Sequence, residues 1–220
     1  MRKSIFALTV AAVVALPAGL TAQGFGIAAR GGTLGVGGEA ALALGSSAVI
    51  RGGIGLMPLE LDASISGVDF ILTLPETWYN VGLDLYLGPS FRIGGGMLFK
   101  PDDPTLAGNF TTTQSIGGRN FTPEEIGTLT GVIDSKDQAP YFLIGFGKHT
   151  SSGIGLTLDI GAAFLGDPSV SLDATGGTFS DQDELTSRLN IEAAELEQGI
   201  GTYLNYWPII NLGLRIGIGG

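Results

Sequence analysis

Hydrophobic and polar positions alternate with period two along most of this chain. Residues 34–44 (LGVGGEAALAL) put Leu34, Val36, Ala40, Leu42 and Leu44 on one parity, and Gly35, Gly37, Glu39, Ala41 and Ala43 on the other. The same alternation runs through 48–56, 79–87, 91–99, 154–164 and 210–218, and more weakly through 25–30 and 140–147. Eight segments of this kind predict eight β-strands. The two faces they create are unlike those of a soluble sandwich or a lipocalin-like barrel. One face is bulky and aliphatic. The other is mostly Gly and Ala with a single charge in most strands, and would cover a water-exposed surface poorly. Small residues leave room for a few long ones inside a narrow barrel, and the bulky face then meets lipid. Closure is required, because an open sheet edge in hydrocarbon leaves backbone groups unpaired. The expected fold is all-β: an eight-stranded antiparallel up-and-down transmembrane β-barrel.

The connections set its orientation. Those at 45–47, 88–90 and 148–153 are short and fall on one side. Those at 57–78, 100–139 and 165–202 are long and fall on the other, where only 31–33 is short. Short periplasmic turns and longer external loops are the bacterial pattern. Trp78, Tyr79, Tyr203, Tyr206 and Trp207 cluster at the external strand ends and are expected to form an interfacial aromatic girdle. Residues 183–198 (DELTSRLNIEAAELEQ) carry Leu185, Leu189, Ala193 and Leu196 on one helical face. One short helix is therefore expected in the last long loop, lying over the barrel mouth.

The first 22 residues, MRKSIFALTVAAVVALPAGLTA, have a basic start at Arg2 and Lys3, an apolar stretch from Ile5 to Leu16, and a break at Pro17 before small residues around Ala22. This reads as a cleaved secretory signal peptide, leaving 23–220 as the barrel domain. No later segment is apolar enough for a transmembrane helix.

Composition narrows the chemistry. The chain has 220 residues, 37 of them Gly, a formal net charge of −10, no Cys and one His. Disulfides, thiolate metal sites and multi-histidine centres are excluded, and the acidic balance argues against a nucleic-acid partner. Mean hydropathy of +0.35 is high for a water-soluble chain. The glycine runs lack the Gly-Lys-Ser/Thr of a phosphate loop and serve barrel curvature instead. No metal or cofactor is expected. The acids of the long loops are read as solvation.

Seven charged residues fall on the inward parity: Arg30, Glu39, Arg51, Asp84, Arg92, Asp159 and Arg215. Buried charges are costly alone, so these are expected to pair into a lumen network, with Arg51, Arg92 and Arg215 each reaching Glu39, Asp84 or Asp159. An eight-stranded barrel is just wide enough for side chains to fill, which favours a plug over a passage. His149-Thr150-Ser151 has the spacing of a His–Ser catalytic pair, but it reads as a polar periplasmic turn.

The stretch from 117 onward (GGRNFTPEEIGTLTGVIDSKDQAPYFLIGFG, then GIGLTLDIGAAFLGDPSVSLDATG, then EAAELEQ and YWPIINLGLRI) resembles small, mostly uncharacterised Gram-negative outer-membrane proteins with OmpA-like eight-stranded barrels. The likeness covers about half of the chain beyond the leader. Its most specific parts are Ala139–Tyr141, Gly166–Leu172 and the EAAELEQ segment. One departure is the terminus Ile218-Gly219-Gly220, where such barrels usually end in an aromatic residue. The resemblance implies location and fold, and supplies no catalytic residues. The expectation is a non-enzymatic integral outer-membrane barrel with a structural or interaction role and a closed lumen. Its partners would be outer-membrane lipid and lipopolysaccharide, the barrel-assembly machinery, and an unknown ligand at the external loops. The alternatives are a passage for small apolar molecules and, third, a lipid A-modifying enzyme.

Overall fold

The structure is a computed structural model that describes residues 24–65 and 68–218. The expected signal peptide, 1–22, lies outside the described residues. Eight strands close into an antiparallel barrel: β1 (Phe25–Gly32), β2 (Val36–Ala43), β3 (Ala48–Leu56), β6 (Thr77–Tyr86), β7 (Phe91–Phe99), β12 (Gln138–Phe146), β13 (Gly153–Phe164) and β15 (Tyr206–Ile218). Each barrel strand pairs with its neighbour in sequence, and β1 closes on β15 from Phe25↔Ile218 to Gly32↔Asn211. Every expected strand is present to within a few residues.

Period two explains which way the side chains point. On β15, Ile210, Leu212, Leu214, Ile216 and Ile218 face outward and are exposed, while Ile209, Asn211 and Arg215 face inward and are buried. Leu83, Leu85, Ile93, Ile144, Leu156 and Ile160 continue the exposed aliphatic surface around the barrel. In water, so continuous an apolar surface would be an aggregation site. In hydrocarbon it is the favourable face.

The long connections are not plain loops. They form β4 (Glu60–Ile65), β5 (Val68–Thr73), β8 (Thr105–Asn109), β11 (Gly127–Asp134) and β14 (Ser169–Gly176), a five-stranded sheet in the order β4-β5-β8-β11-β14. A hairpin of β9 (Gln114–Ile116) and β10 (Arg119–Phe121) and a one-turn helix α1 (Pro123–Ile126) accompany it. The order has a simple origin: β4 follows β3, β5 precedes β6, β8 follows β7, β11 precedes β12, and β14 follows β13. The external sheet therefore repeats the order of five neighbouring barrel strands and continues them upward. Nothing continues β1 and β2, which meet in a tight turn.

The helix expected at 183–198 is longer, α2 (Asp183–Leu204). It packs on β14 and β9. Its predicted apolar face, Leu185, Leu189, Ala193 and Leu196, is buried against Phe70, Leu106, Leu129 and Val170 of the sheet, Phe121 of β10 and Ile126 of α1. Two side chains of α2 also hold neighbouring backbone: Glu192 accepts the Gly117 N–H of the β9–β10 turn at 3.0 Å, and Glu197 accepts that of Val170 on β14 at 2.7 Å. The external part thus has a hydrophobic core of its own, separate from the barrel interior.

Leu83 and Ile71 are equally exposed, at 43% and 41%, but lie on the barrel wall and on the external sheet respectively. Leu83→Arg should cost about 2–4 kcal/mol in lipid vesicles. Ile71→Arg should change stability by no more than about 0.5 kcal/mol. Reversible urea unfolding of the two variants in vesicles tests this, and equal small penalties would place the barrel wall in water.

Candidate functional site

The inward parity brings charges from seven strands into one lumen, and glycine makes the room. Each inward charge lies directly opposite a glycine on an adjacent strand. Arg30 pairs in register with Gly37, Glu39 with Gly53, Arg51 with Gly82, Asp84 with Gly94, Arg92 and Asp159 with Gly145, and Arg215 with Gly155. A Cβ added at Gly94 would overlap the Asp84 carboxylate, one at Gly145 the Arg92 guanidinium, and one at Gly155 that of Arg215.

Six of the seven residues interlock. Arg51 is the centre: its Nη1 lies 2.9 Å from Glu39 Oε2 and 2.8 Å from Asp159 Oδ2, and its Nε lies 3.2 Å from Asp84. Arg92 spans the same acids, 2.5 Å from Asp159 Oδ1 and 3.3 Å from Asp84 Oδ2. Arg30 Nη1 reaches Glu39 Oε2 at 3.2 Å. All six are buried, with Asp84 and Arg92 at 0% exposure. Three guanidinium groups against three carboxylates leave the cluster neutral, the condition under which buried charge is tolerated.

Arg215 departs from the expectation. It meets none of the three acids. Its Nη1 instead donates to the carbonyl oxygens of Ser151 and, at 3.2 Å, Gly153. Those carbonyls belong to the β12–β13 turn, which folds up into the periplasmic end of the barrel rather than hanging in solvent. His149 and Thr150 are 2% and 3% exposed. The turn fits because β1 and β15 present Gly26 and Gly217 to it; a Cβ at either would overlap its backbone.

His149 joins the network that the inward parity did not assign it to. Its Nε2 lies 3.0 Å from Glu39 Oε1 and 3.4 Å from Arg92 Nη2. The Tyr86 hydroxyl accepts the His149 backbone N–H at 2.9 Å and lies 3.1 Å from Nδ1. The hydroxyl can accept one bond and donate another, so it fastens both the backbone and the ring of His149. Both ring nitrogens thus have partners inside the lumen.

The external half of the lumen is filled by apolar side chains: Leu34, Trp78, Leu98, Tyr141, Leu143, Leu165 and Ile209 are each at most 6% exposed. Here the expected girdle is corrected. Trp78 and Trp207 lie on the inward parity and stack at 4.7 Å, with Trp207 Nε1 donating to Thr33 O at 3.1 Å. Tyr79 and Tyr206 do face outward. Tyr203 lies in α2 and not on a barrel strand. The outward aromatics of the external side are Tyr79, Phe99, Phe142, Phe164 and Tyr206, the last three in edge contact at 6.4 and 5.4 Å. Phe25, Phe91 and Phe146 form the periplasmic counterpart, with Phe91 and Phe146 at 5.5 Å. The β1–β2 turn also folds inward: Leu34 is 2% exposed, and the Thr33 N–H donates to Ile210 O at 3.0 Å. Among the described residues no group of three His, Asp or Glu is arranged to hold a metal.

An apolar wall between two aromatic belts, a closed ring of eight antiparallel strands and a charged interior define the fold of the small, OmpA-like outer-membrane β-barrels. Two solved structures share it. Acinetobacter baumannii CarO2 is 19% identical, with a TM-score of 0.58 over 89% of this chain and 98% of that one. Acinetobacter baumannii CarO is 16% identical, with a TM-score of 0.53 over 88% and 96%. At these identities the likeness is one of fold. No protein-family model matches the chain, and comparison with curated proteins gives no match.

Two variants read the site directly. Glu39→Ala leaves Arg30, Arg51 and His149 facing an unbalanced charge and should destabilise by about 3–5 kcal/mol. Gly145→Ala forces a methyl into the Arg92 guanidinium and should cost about 1–3 kcal/mol. Gly52→Ala faces outward, where an added Cβ meets only a carbonyl at 3.5 Å, and should be near neutral. Denaturant unfolding in vesicles ranks the three; a neutral Gly145→Ala would mean that the guanidinium is free to move aside.

Proposed function

We propose that the protein is an integral outer-membrane β-barrel with a closed lumen, serving a structural or interaction role through its external sheet-and-helix part. The observation that carries this reading is the interlocked cluster of Arg51, Arg92, Glu39, Asp84 and Asp159, drawn from five strands around the barrel. Such a cluster fills the cross-section of a narrow barrel. The apolar cluster around Trp78 blocks the external half, and the inward β12–β13 turn blocks the periplasmic end. Passage of a solute would require all three to part.

The exposed aliphatic wall fits contact with outer-membrane lipid and lipopolysaccharide, and insertion would need the barrel-assembly machinery. The acidic external loops, organised on a rigid sheet, offer the surface on which a ligand or partner would be met. An enzymatic role on lipid A finds no support in the geometry, since His149 is committed to Glu39 and Tyr86.

Purified protein in a planar lipid bilayer should give no steady ion conductance. A stable conductance, reproducible across preparations and lost when the protein is omitted, would overturn the closed lumen and favour the passage for small molecules.

A further inference from the structure

Between the charge network and the apolar half of the lumen lies a cavity of about 10 Å³, where Arg30, Arg51 and Asp159 of the network face Leu34, Asn80, Tyr141 and Leu143. Each of these side chains is at most 6% exposed. Arg30 spends only Nη1 on Glu39. Its Nε and Nη2 are buried and have no acceptor within the protein. Buried guanidinium donors without acceptors are unfavourable, and native structures rarely leave them so. The neighbouring Asn80 and Tyr141 bring an amide and a hydroxyl to the same space, each able to donate or accept.

We propose that this cavity binds a single water molecule, which accepts from Arg30 and is hydrogen-bonded to Asn80 and Tyr141. Three observations select water over other occupants. The volume matches roughly one water, which needs about 10–15 Å³ and two to four polar partners. The surrounding cluster is already neutral, three Arg against three carboxylates, so a bound anion or cation would leave net charge in the lumen. The polar partners are mixed donors and acceptors, as water requires and an apolar solute does not. Leu34, on the inward β1–β2 turn, walls the cavity, so the site exchanges slowly with bulk water. That last point rests on the closed-lumen reading; the existence of the site does not.

The test is water–protein Overhauser spectroscopy on the full chain in lipid nanodiscs, with leucine, valine and alanine methyls labelled. The expected result is a cross-peak to a long-lived water at the Leu34 and Leu143 methyls and none at Val49 or Ala41. Asn80→Leu, which fills the cavity, should abolish that cross-peak while the circular-dichroism spectrum still shows a folded β-barrel. Should Asn80→Leu fail to fold, Tyr141→Phe keeps the ring, removes one partner and should weaken the cross-peak. A folded wild-type barrel with no cross-peak at Leu34 and Leu143 would overturn the water site and leave the closed lumen standing. A cross-peak unchanged by either variant would equally overturn it. Rapidly exchanging water at all four residues would overturn both the site and the closed lumen.

Discussion

Arg51 touches Glu39, Asp84 and Asp159, carboxylates carried by three different strands, and the remainder of the barrel is arranged to make that contact affordable. A guanidinium at this depth has no bulk water to solvate it. Its charge must be met by acids placed within hydrogen-bond reach and themselves paired, as Arg92 and Arg30 provide. An eight-stranded barrel has little interior volume, so each long charged side chain needs an empty neighbour. The in-register glycines Gly37, Gly53, Gly82, Gly94, Gly145 and Gly155 supply it. Six of the inward glycines thus have a specific cause: the position across the ladder from each is charged.

The same shortage of space explains the ends of the barrel. Two turns fold inward instead of outward, Leu34 from the external side and His149 from the periplasmic side. Both need glycine seats on the strands they press against. Arg215, left without a carboxylate, clamps the carbonyls of the lower turn, so a residue that looks like a member of the charge network has a positioning task instead. Above the membrane the requirement changes. There the strands are in water, the sheet that continues five of them needs a cover on one face, and α2 provides it with Leu185, Leu189, Ala193 and Leu196.

Alternation alone was enough to locate all eight barrel strands, because an apolar outer wall and a packed interior impose period two on each of them. It failed where other rules took over. The five external strands are short and carry Ser, Thr and Asp on their water-facing side, as in Ser169, Ser171 and Asp173 of β14, so they blend into loop composition. α2 runs past residue 198 to Leu204, beyond the last residue of the apolar face that announced it. Trp78 and Trp207 were misplaced by weighing residue type over parity; each is one position away from an outward tyrosine, and strict alternation already turns them inward. His149 carried little signal in its own segment. The clue lay on the opposing strands, in Gly26 and Gly217.

The lumen charges act as one interlocked unit sealed from bulk water. The most direct measurement is a double-mutant cycle between Arg92 and Asp159, using Arg92→Met and Asp159→Leu, with unfolding followed in lipid vesicles at low salt and again at roughly 1 M salt. The expected coupling is about 1.5–3 kcal/mol and is unchanged by salt, because screening ions do not reach a sealed interior. A coupling below about 0.5 kcal/mol that fades with salt is the behaviour of a water-exposed pair and would contradict it.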